Sequence, residues 1–130
     1  MEYRIGQIAT ISKTVSDNDV KQFAKLVGDE NPIHIDDEFA KQSQFGKRIV
    51  HGMFGASLIS AVLGMKLPGP GAIYLSQFLQ FTAPVFIGDK ITAQVKVVKI
   101  LKNKPIITME TNCINQNDEI IIKGEAVVKI

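Results

Sequence analysis

The most constraining feature of this sequence is a stretch without formal charge at residues 51–65, HGMFGASLISAVLGM. As an α-helix it would be about 22 Å long, which is too short for a bilayer span of about 20 apolar residues. A helix that is apolar on nearly every side has no face suited to water. We therefore predict a helix that is buried along its whole length and wrapped by the rest of the chain.

The composition fits a single domain over residues 1–130. The 15 Lys and Arg against 13 Asp and Glu give a net charge of +2 without a long basic run, so no nucleic-acid partner is predicted. The only cysteine, Cys113, has no partner for a disulfide or a zinc site, which favours the cytoplasm. The first residues do not resemble a secretion signal, and we expect no membrane association.

A short amphipathic helix should precede the apolar one. Ser16 and Asp19 fit a capping box, and apolar residues then recur at helical spacing up to Val27. Gly28 suits the end of this helix, because glycine tolerates a positive φ. The segment 29–50 is predicted to be irregular, with at most one or two helical turns.

The second half of the chain has the texture of a sheet. Strands are predicted at residues 72–83, 90–101, 106–115 and 119–130, with a further one at 7–15. The alternation slips at Val97, which indicates a bulge, and Gly124 indicates a bend or a close backbone approach. We predict an α+β fold: a curled antiparallel sheet of about five strands around the apolar helix, with free edges that favour dimerisation.

The segment GDENPIH, residues 28–34, carries the acid–base candidates Asp29 and His34. Because Asn31 precedes a proline, a continuous helix is disfavoured and the chain must turn, so the two side chains can converge. The alternative is structural, with Asp29 in the helix C-cap region and His34 a satisfied loop histidine.

Gly52 begins the apolar helix, where unpaired N–H groups and the positive end of the helix dipole are found. Without a side chain, Gly52 leaves these donors open to a ligand oxygen such as that of a thioester. The helix behind it, at Gly55, Ala56 and Ser57, would suit an acyl chain.

The segments GDENPIHIDDEFA, RIVHGMFGASL and LPGPGAIYLSQFLQFTAPVFIGDKITAQVKV resemble the MaoC-like (R)-specific enoyl-CoA hydratases, over about residues 16–130. Asp29, Asn31 and His34 match the family motif D-x-N-P-x-H. The resemblance implies a hotdog fold and addition of water to trans-2-enoyl-CoA, with Asp29 shuttling the proton and His34 helping to activate water. Coenzyme A enters as part of the substrate, without a further cofactor, and a homodimer or a dimer of dimers is expected. Gly55 is smaller than the family leads us to expect, which bears on acyl chain length.

Other polar residues near these motifs have two interpretations each. Asn31 either orients His34 or caps the turn. Ser57 matches a position that faces the family's active site, and would otherwise bond to the carbonyl of the preceding turn. His51 is expected to bond to nearby backbone.

The basic pair Lys47 and Arg48 is unfavourable beside a helix N-terminus, so we expect both side chains to point into solvent, with the phosphates of coenzyme A as the alternative. A metal site of His34, Asp36 and His51 is conceivable by ligand type, but the spacing is not a recognised one, and no metal is expected.

Two rival functions remain open. A thioesterase of the same fold would also use a carboxylate and a helix N-terminus. A non-catalytic acyl-CoA-binding module, or one subunit of a larger dehydratase, would need no competent acid–base pair.

Overall fold

The computed structural model describes residues 2–130. Its five strands form one antiparallel sheet, as predicted, and the structure gives their order as β1-β3-β4-β5-β2. The strands are β1 (Ile8–Thr14), β2 (Ile73–Phe81), β3 (Lys90–Ile100), β4 (Ile106–Ile114) and β5 (Ile120–Lys129). The helices are α1 (Asp17–Val27), α2 (Pro32–Ile35), α3 (Asp37–Lys41) and α4 (Gly52–Met65). None of the helices in residues 2–130 is long and apolar enough to span a membrane.

The middle strands form the floor of the core. Alternate residues of β3 and β4 are buried beneath α4, and the predicted bulge lies between Val97 and Lys99. Gly124 pairs with Leu79 and Thr111 on its two neighbouring strands, and an added Cβ would collide with the Phe78 carbonyl. The close backbone approach predicted at Gly124 is therefore confirmed.

Helix α4 lies against the sheet, but the prediction that it is buried along its whole length was wrong. One side is in the core, whereas the other side carries exposed Met53, Ser57, Ser60 and Met65. The reason is geometric: a single sheet covers only one side of a helix. The exposed side lies towards β2, an edge strand of the sheet.

Helix α1 begins and ends where the sequence predicts. Ser16 and Asp19 form the reciprocal capping box, and Gly28 closes the helix with φ 82°. The expectation that Arg48 points into solvent was wrong, because its side chain is only 8% exposed and pairs with Asp17 and Asp37. Arg48 thereby ties the segment before α4 to α1 and α3.

Candidate active site

The turn after α1 is held by its own side chains. A carboxylate oxygen of Asp29 accepts from the backbone N–H of Asn31 at 3.3 Å, and the Asn31 side-chain oxygen accepts from the N–H of Ile33 at 3.2 Å. Asn31 thus caps α2, the second of its two interpretations. Pro32 is the first residue of α2, a position where its missing N–H costs nothing. This turn, which the sequence indicated, carries His34 inward.

His34 is buried, with 8% of its surface exposed. Its Nδ1–H donates to the Ile49 carbonyl at 2.8 Å, so the lone pair of the neutral ring is on Nε2. Burial lowers the pKa of His34; the bond to Ile49 opposes this, the neighbouring His51 lowers it further, and Asp29 raises it. The ring is therefore neutral near pH 7 and able to accept a proton.

His51 connects the two acid–base candidates. Its Nε2–H donates to the backbone carbonyl of Asp29 at 2.9 Å, as the expectation of a backbone bond required. Its ring stacks on that of His34, with 3.8 Å between the centroids, and Phe23 contacts its ring at a centroid distance of 5.0 Å. Its Nδ1 is buried without a hydrogen-bond partner among residues 2–130. His51 therefore fixes both the Asp29 backbone and the His34 ring.

The structure brings Asp29, His34 and His51 together, with one polar side-chain atom of each lying within 4.8 Å of the others. The metal set considered from the sequence is not assembled, because Asp36 accepts from the Phe39 N–H and caps α3. Since a carbonyl already engages Nδ1 of His34 and Nε2 of His51, and Nδ1 of His51 is buried, the polar groups left for a ligand are the Asp29 carboxylate and Nε2 of His34. A carboxylate beside a neutral imidazole suits acid–base chemistry on a bound water.

These groups open into a cavity of about 540 Å³. Gly52, the first residue of α4, forms part of its wall, so the unpaired N–H groups of the helix start border the same space as Asp29. A Cβ on Gly52 would lie 2.8 Å from the Phe81 ring. The rest of the lining is mainly apolar: Val50, Gly55, Phe81, Val85, Ile121 and Ile122. The cavity therefore combines a polar end with an apolar interior.

Ser57 does not reach this cavity. Its hydroxyl donates to the Met53 carbonyl at 2.7 Å, and the residue lines a second groove of about 430 Å³ between α4 and β2. Gly55 lines the first cavity, while Ala56 and Ser57 line the second. The idea that all three form one floor was wrong, because residues two apart on a helix point about 200° apart.

The fold and this polar-ended cavity define a class, and comparison with known proteins identifies it. Residues 5–118 match the model of the MaoC like domain, and the chain belongs to that family.

An (R)-specific enoyl-CoA hydratase of Aeromonas caviae is 47% identical over 126 residues, covering 97% of this chain and 94% of the relative. A protein of the same name from Rhodospirillum rubrum is 46% identical over 125 residues, covering 96% of this chain and 86% of the relative. A solved structure described as the (R)-hydratase from A. caviae involved in PHA biosynthesis superposes with a TM-score of 0.96. It is 46% identical and covers 98% of this chain and 97% of that one. The predicted hotdog fold is confirmed.

Sequence reasoning missed the residues that meet only through long-range packing. Phe81 and Ile122 come from β2 and β5 and pack against Gly52 and Gly55. The stacking of His51 on His34 was also missed. The one available signal was that His51 directly precedes the apolar helix, which places its ring beside the helix start.

Proposed function

We propose that the protein is an (R)-specific enoyl-CoA hydratase, which reversibly adds water, syn, to trans-2-enoyl-CoA and yields (R)-3-hydroxyacyl-CoA. The observation that carries this proposal is the convergence of the Asp29 carboxylate and the neutral His34 ring beside the start of α4, at one end of an apolar cavity. The names of the relatives from A. caviae and R. rubrum support it.

The start of α4 would stabilise the charge that develops in the reaction. When water attacks C3 of an enoyl thioester, electron density moves from the C2–C3 double bond onto the thioester oxygen. Gly52 lines the cavity at the start of α4, and its N–H is the proposed donor to that oxygen. One such donor is typically worth ~3 kcal/mol in the transition state.

Asp29 and His34 would hold the attacking water between them. As the oxygen of the water bonds to C3, the Asp29 carboxylate takes a proton from the water. Asp29 then returns that proton to C2. His34 accepts a hydrogen bond from the water through Nε2, because its Nδ1–H is committed to Ile49. The addition of water involves no net oxidation or reduction, so the reaction needs no redox cofactor, and coenzyme A is needed only as part of the substrate.

The proposal is tested by following the enoyl-thioester absorbance of but-2-enoyl-CoA while a thiol reagent reports free coenzyme A. A hydratase removes the absorbance without releasing thiol. A thioesterase releases thiol from butyryl-CoA, and a non-catalytic binding module does neither. Either of the last two results would refute the assignment. Thiol release is the specific alternative here, because it requires only the carboxylate and the helix N-terminus.

We extend the proposal to the assembly: residues 1–130 form one domain that pairs as a homodimer or a dimer of dimers, in the cytoplasm. Strand β2 is a sheet edge and exposes Tyr74, Leu75 and Phe78, while Met53 of α4 is exposed beside the same groove. Unpaired edges with apolar side chains favour pairing with another chain. Sedimentation should give a dimer or tetramer, and Phe78→Lys should shift it to the monomer. A wild-type monomer at micromolar concentration would contradict this part of the proposal.

A further inference from the structure

Residues 48–51, which directly precede α4, contact both acid–base candidates. The Ile49 carbonyl accepts from the Nδ1–H of His34 at 2.8 Å, and the Nε2–H of His51 donates to the Asp29 carbonyl at 2.9 Å. The Ile49 N–H also donates to a backbone carbonyl of α2 at 3.2 Å. The placement of Asp29 and His34 relative to each other therefore depends on where this segment lies.

The first side chain of the segment is a buried cation that no proposed catalytic step uses. Arg48 pairs with Asp17, the first residue of α1, and its Nε lies 3.3 Å from a carboxylate oxygen of Asp37, the first residue of α3. Its Nη1 donates to the carbonyl of Ile35, the last residue of α2, at 3.5 Å. One guanidinium makes these contacts together because its five N–H donors are fixed in one plane. Arg48 thus joins residues 48–51 to α1, α2 and α3 at once.

Stability alone does not account for burying this charge. The side chain of Arg48 is 8% exposed, whereas those of its partners Asp17 and Asp37 are 48% and 89% exposed. The hydrogen bond from Arg48 is the largest of the effects that lower the pKa of Asp17. A buried ion pair contributes little net stability, because the loss of hydration offsets the attraction between the charges. What the guanidinium does supply is a fixed spacing between three helices and the segment that contacts Asp29 and His34.

We infer that Arg48 is a positioning residue for hydration: by holding α1, α2 and α3 to residues 49–51, it keeps Nε2 of His34 beside the Asp29 carboxylate. The inference rests on the proposed function for the reaction that it serves. Arg48 acts through its neighbours and does not touch the substrate. Because misplacing catalytic groups by about 1 Å can cost 10²-fold in rate, loss of Arg48 should lower kcat in a protein that still folds and binds substrate.

The test compares Arg48→Met, Arg48→Lys and Asp17→Asn with the parent enzyme, using Lys21→Met as the matched control. Lys21 lies in α1, is exposed, and pairs with the same Asp17 carboxylate at 2.9 Å. Its removal takes a cation from Asp17 without removing the contacts of Arg48. The first readout is kcat and KM for but-2-enoyl-CoA, well below the melting temperature of each variant. The second is the ¹⁵N NMR spectrum of the chain's two histidine rings at neutral pH, which reports whether His34 keeps its proton on Nδ1.

Arg48→Met should lower kcat by roughly ten- to hundredfold, with KM within about threefold of the parent value, and His34 should lose its single Nδ1–H form. Arg48→Lys should be intermediate, because a lysine is a point charge that cannot contact three helices together. Asp17→Asn should cost less, and adding it to Arg48→Met should cost nothing more, since both remove one interaction. Lys21→Met should keep the parent values.

Parent values of kcat and an unchanged His34 spectrum in folded Arg48→Met would overturn the inference. A change confined to KM, or an equal loss of kcat in Lys21→Met, would also overturn it. If Arg48→Met does not fold, parent values in Arg48→Lys overturn it instead. Absence of hydration by the parent enzyme would refute the proposed function, while the NMR spectrum would still test whether Arg48 positions His34.

Discussion

The two sides of α4 differ in what they bring to their cavities. On one side, Asp29 and His34 converge at the mouth of an apolar space that Gly55 helps to line. On the other side, Ser57 and Tyr74 line a groove beside the free edge of the sheet. Both spaces are of similar size, so volume does not distinguish them.

The distinction lies in which groups remain unused. The hydroxyl of Ser57 donates to its own helix and that of Tyr74 donates to Gln77, so these two polar groups of the groove are satisfied locally. In the cavity, the Nδ1–H of His34 is committed, which leaves Nε2 able to accept. This difference supports the proposal that the reaction takes place on the Asp29 side of α4 and that subunits pair on the Ser57 side.

The largest effect should come from removing the acid–base pair. Asp29→Asn and His34→Ala should each lower kcat by roughly 10²- to 10⁴-fold, because each removes a group that holds or transfers a proton. Asp29 is exposed, so Asp29→Asn should change the free energy of unfolding by less than ~0.5 kcal/mol. Steady-state hydration rates and thermal melting measure the two effects. Glu30 is adjacent and also exposed, so Glu30→Gln is the matched control. Full activity in Asp29→Asn would show that Asp29 does not take part in the reaction.

Blocking the start of α4 should have the next largest effect. Gly52→Val places atoms against the Phe81 ring and in front of the helix N–H groups, so kcat should fall by roughly 10²- to 10³-fold. The control is Gly64→Val in the same helix, where an added Cβ meets nothing within 4 Å. Equal kcat values for the two variants would show that the start of α4 does not serve the reaction.

Acidification should affect the two sides unequally, because His34 lies only on one of them. Burial holds the pKa of His34 below its ordinary 6.5, so kcat/KM should be level near neutrality and fall by roughly tenfold per pH unit below the lowered value. Between the lowered pKa and 6.5, the His34 ring is protonated in the unfolded chain but neutral in the folded protein. The stability contributed by the neutral ring is therefore complete above pH 6.5 and is lost as the pH falls through the lowered pKa.

A pH–rate profile and a pH series of denaturant melts measure these two effects. In His34→Gln, the stability loss attributed to this ring should disappear. A rise of kcat/KM on acidification would contradict a neutral His34.

Removing one contact of His51 at a time should have a smaller effect. His51→Phe keeps a ring to stack on His34 but loses the bond to the Asp29 carbonyl, and His51→Gln offers a donor without the ring. Because misplacing catalytic groups by about 1 Å can cost 10²-fold, each should lower kcat by roughly ten- to hundredfold, with KM nearly constant. A change confined to thermal stability would reduce His51 to a packing role.

The smallest effect is expected on the other side of α4. Ser57→Ala should alter kcat/KM by no more than about twofold, because its hydroxyl is bonded to Met53 within the helix. The same assays measure it. A loss of kcat/KM comparable to that of Asp29→Asn would show that Ser57 contacts the substrate, as the family resemblance implies.

Local patterns made much of this fold predictable. The capping box of α1, the stop at Gly28 and the bulge after Val97 each follow from residues close together in sequence. The turn that brings His34 towards Asp29 follows from Asn31 and the proline after it.

What escaped prediction depends on tertiary contacts. Arg48 looks like a surface residue until Asp17 and Asp37 are folded around it. The exposed side of α4 was missed because composition gives the hydrophobicity of a helix but not how many of its faces a sheet can cover. The stacking of His51 on His34 joins segments 17 residues apart, and no periodic pattern encodes it.

The most direct test of the account is the stereochemistry of hydration of but-2-enoyl-CoA in D₂O. A polar side-chain atom of Asp29 lies within 4.8 Å of one of His34, so the two groups should deliver the hydroxyl to C3 and the deuteron to C2 on the same face. The predicted product is the (R)-3-hydroxy thioester with syn addition of deuterium, and Asp29→Asn should nearly abolish its formation. An (S) product, anti addition or release of thiol would contradict the account.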